Sequence, residues 1–391
     1  MLNSYYRCYR CMNKLKNNTK HCPVCGALIS KEKILKFSLT PGTLLNNRYT
    51  VGNVICKNNN TLTYIAVDEQ LGSKITILEL FPTEIVKRID SEVVVKNFDN
   101  EKLFEKLKKD FSNLHKCLIT LRGLPNILKM FAILQQNNTI YVVQENPKGI
   151  SFEKYLSNNY GELSWPNCEK MFLKLIKLMK YLHNNNITHC DLYPKTLFVE
   201  DGILKIIDFS NSLINSANIL TTPKLNDGYS APEQYDNKKV GTYTDVYSVA
   251  AIMYKALTGT KPVNSKSRLS NDNLLPPKVL NSNIPKNVSF AIMSALVLAP
   301  KLRTQTMKDF YEDLTAPARE DRKKIDIQID TPIEQIITVN KPQPKQTLNR
   351  KSPPKTKRRS IVFLSFLISC SIVSFFLVIV IFLLFSDSLF G

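Results

Sequence analysis

The feature that most constrains this 391-residue chain is an uninterrupted apolar segment near its C-terminus. Residues 361–385 carry no charged side chain, and only serines and Cys370 interrupt the run of apolar residues. At about 1.5 Å per helical residue, the segment can cross a hydrocarbon core of about 30 Å with some tilt. A core helix of a globular domain would carry polar residues along one face. We therefore predict a single transmembrane helix over residues 361–385.

The distribution of charge predicts the orientation of this helix. The chain has 53 Lys and Arg against 33 Asp and Glu, which gives a net charge of +20. Residues 341–360 are strongly basic and contain no acid, whereas only residues 386–391 follow the helix. By the positive-inside rule, we expect the main body to lie on the cytoplasmic side of the cell membrane and residues 386–391 to form an external stub. A basic segment beside a membrane favours anionic lipid as its partner over nucleic acid.

Two further features agree with a cytoplasmic body. The first residues lack the apolar stretch of a cleaved secretion signal, and nine Cys are too sparse for a disulfide scaffold. Residues 317–360 are polar, basic and rich in Pro, which predicts a flexible linker between the body and the membrane.

Two Cys-x-x-Cys pairs predict a metal-binding module over residues 1–30. Each pair can present two thiolates to one ion from a tight turn, and Gly26 suits such a turn after the second pair. A module this small cannot bury a core unaided, so a structural zinc ion is expected to stabilise it. A redox role is the alternative, but no βαβ pattern surrounds either pair. His21 is adjacent to Cys22 and could be a substitute ligand, although a solvent-exposed residue without a role in the site is the simpler interpretation. The predicted zinc ligands are Cys8, Cys11, Cys22 and Cys25.

The middle of the chain, residues 40–316, is predicted to be one α+β domain with two lobes. Strand patterns dominate residues 40–146, with a helix at 101–121, and helical periodicity dominates residues 147–316, as in the helix at 168–184. The predicted strands are residues 49–56, 62–67, 75–80, 128–135 and 139–144.

Four motifs follow one another in this domain: HCDLYPKTLF at 189–198, LKIIDFS at 204–210, GYSAPEQY at 228–235 and TYTDVYSVAAIMYKALTG at 242–259. They resemble motifs of the bacterial eukaryotic-type serine/threonine protein kinases. Their order and spacing match the catalytic loop, the metal-binding DFG motif, the APE segment and the following helix of that family. The resemblance implies a two-lobed kinase-like fold, Mg-ATP as cofactor, and proteins as substrates or partners.

The resemblance implies that two catalytic carboxylates are retained. Asp191 matches the base that accepts the substrate hydroxyl proton, and Asp208 matches the carboxylate that binds Mg²⁺. The Asn that would bind the second metal ion is replaced by Thr196. Tyr193 replaces a basic residue, and Cys190 replaces the Arg that pairs with a phosphorylated activation segment.

The nucleotide-binding positions are altered more heavily. The lysine that binds the α- and β-phosphates falls on Leu78, and its Glu partner falls on Leu114, or on Asn113 if the register slips by one residue. Replacing both members of a buried ion pair by apolar residues is often neutral, whereas losing one is costly. The glycine positions of the phosphate loop fall on Cys56, Asn58 and Thr61, and the DFG glycine on Ser210.

A substitute cation is available within the phosphate loop. Lys57 lies there and could reach the phosphates, although a solvated loop lysine is the simpler interpretation; Lys74 lies too far along the third strand. Gln144, Glu145 and Asn146 fall at the gate and hinge of the adenine pocket.

Other matched positions are predicted to be structural. Asp245 would brace the catalytic loop, and Glu233 would form a buried ion pair with Arg303. Thr221 and Thr222 are candidate phosphorylation sites.

Two functions follow from these observations. One is a membrane-anchored pseudokinase with a signalling or scaffold role and weak or no phosphotransfer. The other is an unorthodox active kinase that uses Asp191, Asp208 and Lys57.

Overall fold

The computed structural model describes residues 6–16, 19–29, 35–121, 123–214, 225–235 and 239–317. The first segments form a small ribbon with one antiparallel hairpin, β1 (Tyr6–Arg7) and β2 (Lys14–Leu15). The predicted linker from residue 318 onward and the predicted transmembrane helix lie outside the described residues. None of the helices that are described is long and apolar enough to span a bilayer.

The N-terminal lobe is built on a six-stranded antiparallel sheet with strand order β3-β4-β5-β6-β10-β9. A long helix, α1, contacts β9 and β10. Its elements are β3 (Leu44–Leu45), β4 (Tyr49–Lys57), β5 (Thr61–Asp68), β6 (Ser73–Leu80), the hairpin β7 (Val86–Ile89) and β8 (Glu92–Val95), α1 (Glu101–Thr120), β9 (Met130–Gln136) and β10 (Thr139–Glu145).

The amphipathic pattern of α1 explains its place against the sheet. Its buried residues recur every three or four positions, so they form one face of the helix. Strand β6 is buried continuously from Ile75 to Leu80, as expected for a central strand covered on both faces. The predicted strands and helix of this lobe are present, with ends that differ by one or two residues.

The C-terminal lobe is mostly helical, with two short sheets. Its elements are β11 (Ile150–Ser151), α2 (Phe152–Asn158), α3 (Trp165–Asn184), β12 (Ile187–Thr188), β13 (Leu197–Glu200), β14 (Ile203–Ile206), β15 (Leu213–Ile214), α4 (Pro232–Tyr235), α5 (Thr242–Thr258), α6 (Ser265–Arg268), α7 (Pro277–Leu280), α8 (Lys286–Ala295) and α9 (Met307–Thr315).

Two helices explain how this lobe holds the site. Helix α3 begins three residues before the predicted start, because Pro166 is tolerated in a first turn where an N–H has no helical partner. Helix α5 is buried along most of its length and ends at Gly259, whose φ of 66° suits a left-handed C-cap. The two helices pack together, and α3 also contacts β14. Strands β12 and β14 therefore end at fixed points, and the catalytic-loop and metal-site motifs follow them.

One hairpin was absent from the sequence-based prediction. Strands β7 and β8 pair between β6 and α1, and the chain turns at Asp90, which has a φ of 52°. The hairpin delivers Arg88 to the buried carboxylate of Glu79, 2.5 Å away. Both side chains are almost completely buried, and Glu79 directly follows Leu78 on β6.

Candidate active site

Asp191 lies in the catalytic loop that follows β12, and two amides bond its carboxylate. Asn211 Nδ2 donates to Asp191 Oδ2 at 2.8 Å, and Asn226 Nδ2 donates to Asp191 Oδ1 at 2.6 Å. The backbone N–H of Asp191 lies 3.3 Å from Nδ1 of His189, which fixes the loop. Both carboxylate oxygens of the predicted base therefore accept hydrogen bonds from neutral groups.

Asp208 follows β14 and sits at the position predicted to bind Mg²⁺. The backbone N–H of Ser210 donates to Oδ1 at 2.9 Å, and the Ser210 hydroxyl donates to the same oxygen. The side-chain amide of Asn58 donates to Oδ2. Within the described part of the chain, the donors to this carboxylate are all neutral.

Two more contacts join the phosphate loop to the segment after Asp208. The hydroxyls of Thr61 and Ser210 lie 2.8 Å apart, and Asn60 Nδ2 donates to Asn211 Oδ1 at 3.2 Å. Together with the Asn58–Asp208 bond, these contacts form what we call the loop latch, comprising Asn58, Asn60, Thr61, Asp208, Ser210 and Asn211. Asn58 and Thr61 stand at predicted glycine positions. Their side chains therefore add bulk to the phosphate loop and also form hydrogen bonds with Asp208 and Ser210.

The strand predicted to supply a phosphate-binding lysine carries a leucine at the matched position. Leu78 is 4% exposed and Leu114 of α1 is 3% exposed, and both belong to the main hydrophobic core. In an apolar environment of this kind neither position needs a charged partner. The alternative register at Asn113 falls on an exposed position of α1.

Lys57 is the last residue of β4 and is exposed. Its ammonium lies over the ring of Phe37, 4.2 Å from the ring centroid, which is a cation–π contact. The structure therefore places the ammonium of Lys57 on an aromatic ring, while an amide bonds Asp208. Lys74 is exposed at the start of β6, opposite Val67 of β5.

Three titratable groups near the carboxylates add no positive charge at neutral pH. Burial lowers the pKa of His115 to about 4, and it also lowers the pKa of His189. Burial, followed by the charges of Asp191 and Asp208, raises the pKa of Tyr193 to about 12. The phenol and the two imidazoles are therefore neutral, so the carboxylates gain no compensating charge from them.

Thr196 is used within the catalytic loop. Its hydroxyl accepts from the backbone N–H of Tyr193 at 3.1 Å, and it lies 2.9 Å from the Tyr193 carbonyl and 3.3 Å from the Asp191 carbonyl. These bonds hold the turn of the loop. They direct the hydroxyl to the backbone of its own turn, so Thr196 is a poor replacement for a metal-binding Asn.

The hinge positions lie at the end of β10. Gln144 is buried, whereas Glu145 and Asn146 are partly exposed. The Glu145 carboxylate pairs with Lys205 at 3.2 Å, and its carbonyl accepts from the Thr76 hydroxyl at 3.2 Å. The hinge is thus tied to β14 and β6 by polar contacts.

The scaffold beneath the catalytic loop matches the predictions for Asp245, Glu233 and Arg303. Asp245 accepts from the backbone N–H groups of His189 and Cys190, each at 2.8 Å. Arg303 donates to both oxygens of Glu233, at 2.7 and 2.9 Å, and both side chains are almost fully buried. These two predictions are confirmed.

Sequence reasoning missed Asn60, Asn211 and Asn226. Asn211 lies three residues after Asp208, so its distance from that motif was a usable signal. Asn60 lies in the matched phosphate loop, between the predicted glycine positions Asn58 and Thr61, so its place there was also a usable signal. Asn226 lies outside the matched motifs, and only the fold brings it to the site. The candidate phosphorylation sites Thr221 and Thr222 lie outside the described residues.

The four predicted zinc ligands come together in the ribbon. The sulfur atoms of Cys8, Cys11, Cys22 and Cys25 all lie within 4.8 Å of one another, a spacing that suits a tetrahedral thiolate site. Two tight turns present them, since Met12 N–H donates to the Cys8 carbonyl and Gly26 N–H to the Cys22 carbonyl. His21 is exposed and lies outside this cluster.

The thiols of Cys22 and Cys11 differ in pKa. Burial opposes ionisation of Cys22, but backbone N–H groups of Cys25 and Val24 outweigh it and lower its pKa to about 7. Burial raises the pKa of Cys11 to about 12. A bound cation would favour the thiolate form of all four. The donor set and its spacing therefore fit a structural zinc ion.

We call the region around Asp191, Asp208 and the loop latch the interlobe site. Its residues fit Mg-ATP poorly. A nucleotide complex needs the phosphates and metal held in line and their charge neutralised. Here the buried Leu78 stands at the predicted lysine position, the Thr196 hydroxyl bonds the backbone of its own loop, and Asn58 bonds the Asp208 carboxylate.

Comparison with known proteins agrees with this architecture. A family model described as protein kinase domain matches residues 83–332, more than half of the chain. Probable serine/threonine-protein kinases of Clostridium acetobutylicum and Clostridium perfringens are 25% and 26% identical over 284 and 283 residues. Each match covers 70% of this chain, but only 40% and 38% of the respective relative. The chain thus spans about two-fifths of the length of these relatives.

A solved structure shows the same fold. The structure described as PpkA-294 in its apo form matches with a TM-score of 0.59 at 22% identity, covering 71% of this chain and 99% of that one. The fold and the arrangement of the interlobe site define a two-lobed protein-kinase-like protein. The chain belongs to the protein kinase family, and bacterial serine/threonine kinases are among its relatives.

Proposed function

We propose that this protein is a membrane-anchored pseudokinase, which uses a kinase fold to bind or regulate protein partners with little or no phosphoryl transfer. The observation that carries the proposal is the buried Leu78 on β6, which stands where a lysine would bind the phosphates. Phosphoryl transfer depends almost entirely on positioning and on neutralising charge. A neutral side chain at this position removes the cation that both tasks require.

The loop latch supports the proposal independently of Leu78. Asn58 and Thr61 bond Asp208 and Ser210, so a nucleotide would have to displace these bonds before its metal ion could reach Asp208. Hydrogen bonds to a charged group contribute about 1.5–3 kcal/mol each, so their loss would weaken binding. Protein partners remain the expected ligands, because the relatives are described as protein kinases.

The second candidate function is an active but unorthodox serine/threonine kinase. Asp191 and Asp208 are both present, and Asp245 still braces the catalytic loop. On this hypothesis Lys57 would leave the Phe37 ring and bind the phosphates. The hypothesis requires the latch to open when Mg-ATP binds.

One experiment separates the two functions. The full chain, purified in detergent, is mixed with Mg-ATP, and its melting temperature and its incorporation of labelled γ-phosphate are measured; Asp208→Ala is the control. We expect no incorporation and a shift in melting temperature below about 1 °C. Phosphate incorporation that Asp208→Ala abolishes would overturn the pseudokinase proposal. If Lys57→Ala also abolished it, the substitute lysine would be supported.

We propose that residues 361–385 anchor the protein in the cell membrane, with the body in the cytoplasm and residues 386–391 outside. The proposal rests on the apolar run and on the basic residues that precede it. A chain labelled after Gly391 should fractionate with membranes, and external protease should remove only the label from intact cells. Release of the chain by high salt would contradict the proposal.

We also propose that the ribbon binds one structural zinc ion through Cys8, Cys11, Cys22 and Cys25. Four sulfurs within 4.8 Å leave no position for a substrate, so a catalytic role is not expected. Elemental analysis of the purified chain should give one zinc per molecule, and Cys22→Ser should lower it severalfold. A zinc content unchanged by Cys22→Ser would contradict the assignment.

A further inference from the structure

The ribbon lies directly against the N-terminal lobe, and Gly52 of β4 is the point of closest approach. A Cβ atom at Gly52 would lie 2.5 Å from Sδ of Met12 and 2.6 Å from the backbone oxygen of Tyr9. Both distances are too short for any side chain, and one of the atoms belongs to the backbone. The sheet therefore has a position without a side chain where the turn of the ribbon rests on it.

A second glycine and a backbone bond enlarge this interface. A Cβ at Gly42 would lie 2.7 Å from the hydroxyl of Tyr9. The N–H of Asn53 donates to the backbone oxygen of Tyr9 at 2.7 Å. Met12 is 1% exposed and packs with Ile65 and Val67 of β5 in a small cluster separate from the main core.

An ion pair closes the edge of the same interface. Arg7 donates to both carboxylate oxygens of Glu69, at 3.0 and 2.6 Å. It also donates to the backbone oxygen of Met12 at 3.2 Å, and Thr50 donates to Glu69 at 2.6 Å. Apolar packing, a backbone bond and a bidentate ion pair thus fix one surface of the ribbon.

The contacting residues alternate with the metal ligands in sequence. Arg7, Tyr9 and Met12 flank Cys8 and Cys11, and the turn that places them is the turn that presents the two thiols. A ribbon of this size needs its metal ion to fold. The contacts with Gly52, Asn53 and Glu69 therefore depend on occupancy of the thiol site.

We propose that metal occupancy of the ribbon stabilises strand β4 and, through it, the loop latch. The ribbon contacts the first half of β4 at Gly52 and Asn53, and Asn58 follows the end of the same strand. At about 3.3 Å per residue, the distance along the strand from Asn53 to Asn58 is about 17 Å. A strand held at one end by the loaded ribbon presents Asn58 to Asp208 in a fixed position. This inference rests on the proposed metal site and is independent of whether the protein transfers phosphate.

The test is hydrogen exchange of the full chain in detergent, with zinc bound and after removal of zinc by a chelator. We expect backbone exchange over residues 49–68 to become at least tenfold faster on zinc removal, while α5 in the other lobe changes less than twofold. A change below twofold over residues 49–68 would overturn the proposal. Zinc content is measured in parallel, so that absence of metal from the starting protein counts against the metal site instead.

Two variants test the interface itself, with one matched control. Gly52→Leu should keep its zinc. With zinc bound, the backbone of residues 49–68 in this variant should exchange as fast as it does in the zinc-free wild-type chain. Gly123→Leu is the control, because a Cβ there meets no atom within 4 Å. Met12→Ala changes only the ribbon, so it tests the interface even if Gly52→Leu does not fold. It should reduce the zinc-dependent protection about tenfold, and protection equal to that of the wild type would contradict the proposal.

Discussion

The two lobes differ at the positions that the family resemblance matches to buried ion pairs. In the C-terminal lobe, Glu233 and Arg303 form a bidentate pair whose side chains are 1% and 0% exposed. In the N-terminal lobe, the positions matched to the nucleotide-binding ion pair carry Leu78 and Leu114, both buried. A buried pair is costly to break one residue at a time, but its replacement as a pair by apolar residues is often neutral. The difference agrees with a structural role for the Glu233–Arg303 pair and with the proposed loss of nucleotide binding in the N-terminal lobe.

The N-terminal lobe is nevertheless able to hold a buried ion pair. Glu79 follows Leu78 on β6, and its carboxylate lies 2.5 Å from Arg88 and 2.6 Å from the Tyr64 hydroxyl. Neighbouring residues on a strand point to opposite faces, so this pair lies on the other side of the sheet from Leu78. The loss of charge is therefore confined to one face of the strand.

The largest expected effect comes from breaking the C-terminal pair. Arg303→Met leaves the Glu233 carboxylate buried without its partner, so we expect the free energy of unfolding to fall by about 3–5 kcal/mol. Urea unfolding of the full chain in detergent measures it. The double variant Glu233→Gln/Arg303→Met should lose less than the sum of the two single changes. Additive losses would mean that the pair contributes nothing as a pair, and the comparison between the lobes would fail.

The converse change in the N-terminal lobe should be the next largest. Leu78→Lys places an unpaired ammonium in an apolar core, and we expect a loss of about 3 kcal/mol. Adding Leu114→Glu should recover about 1 kcal/mol or more if the two side chains can meet. The same urea titration measures both, and Leu78→Met, which keeps the volume, should cost under about 1.5 kcal/mol. A harmless Leu78→Lys would show that this face is open to water.

Much of the fold could be predicted from the sequence, because its patterns are local. The strands over 49–57, 61–68 and 73–80 and the two long helices carry clear periodicities, and the structure has all of them. The hairpin β7–β8 was missed. Its turn depends on a positive φ at Asp90 rather than on an Asn-Gly or Gly-containing signal.

The site was less predictable, because its polar contacts join segments that are distant in sequence. The motifs located Asp191 and Asp208, but the amides that bond them come from Asn58, Asn211 and Asn226. The Asn58–Asp208 bond spans 150 residues. No local pattern specifies such a bond, because it depends on how the lobes place the loop. The docking of the ribbon is of the same kind, since Gly52 has no local signal that marks it as a contact.

A smaller effect is expected at the contact between the lobes. Asn58→Gly removes the amide that bonds the Asp208 carboxylate, so we expect the free energy of unfolding to fall by about 1.5 kcal/mol and residues 58–61 to exchange faster. The control is the same change in an Asp208→Ala background, where the amide has no carboxylate to bond and the loss should vanish. Urea unfolding and hydrogen exchange measure the two effects. An equal loss in both backgrounds would attribute it to backbone flexibility alone.

The smallest expected effect concerns the ion pair between the ribbon and the N-terminal lobe, which differs from the Glu233–Arg303 pair mainly in exposure. The hydrogen bond from Arg7 lowers the pKa of Glu69, whose side chain is 38% exposed. The pair therefore adds stability above the unfolded pKa of about 4.3, and that stability is lost as pH falls through the lower folded pKa. After allowance for screening by solvent, we expect Arg7→Gln to cost about 0.5 kcal/mol at pH 7 and progressively less as the pH falls below the unfolded pKa of Glu69. Urea unfolding at several pH values, with the exposed Lys74→Gln as control, measures the difference. A loss above about 2 kcal/mol would mean that this pair behaves like the buried one, and that exposure does not explain the contrast.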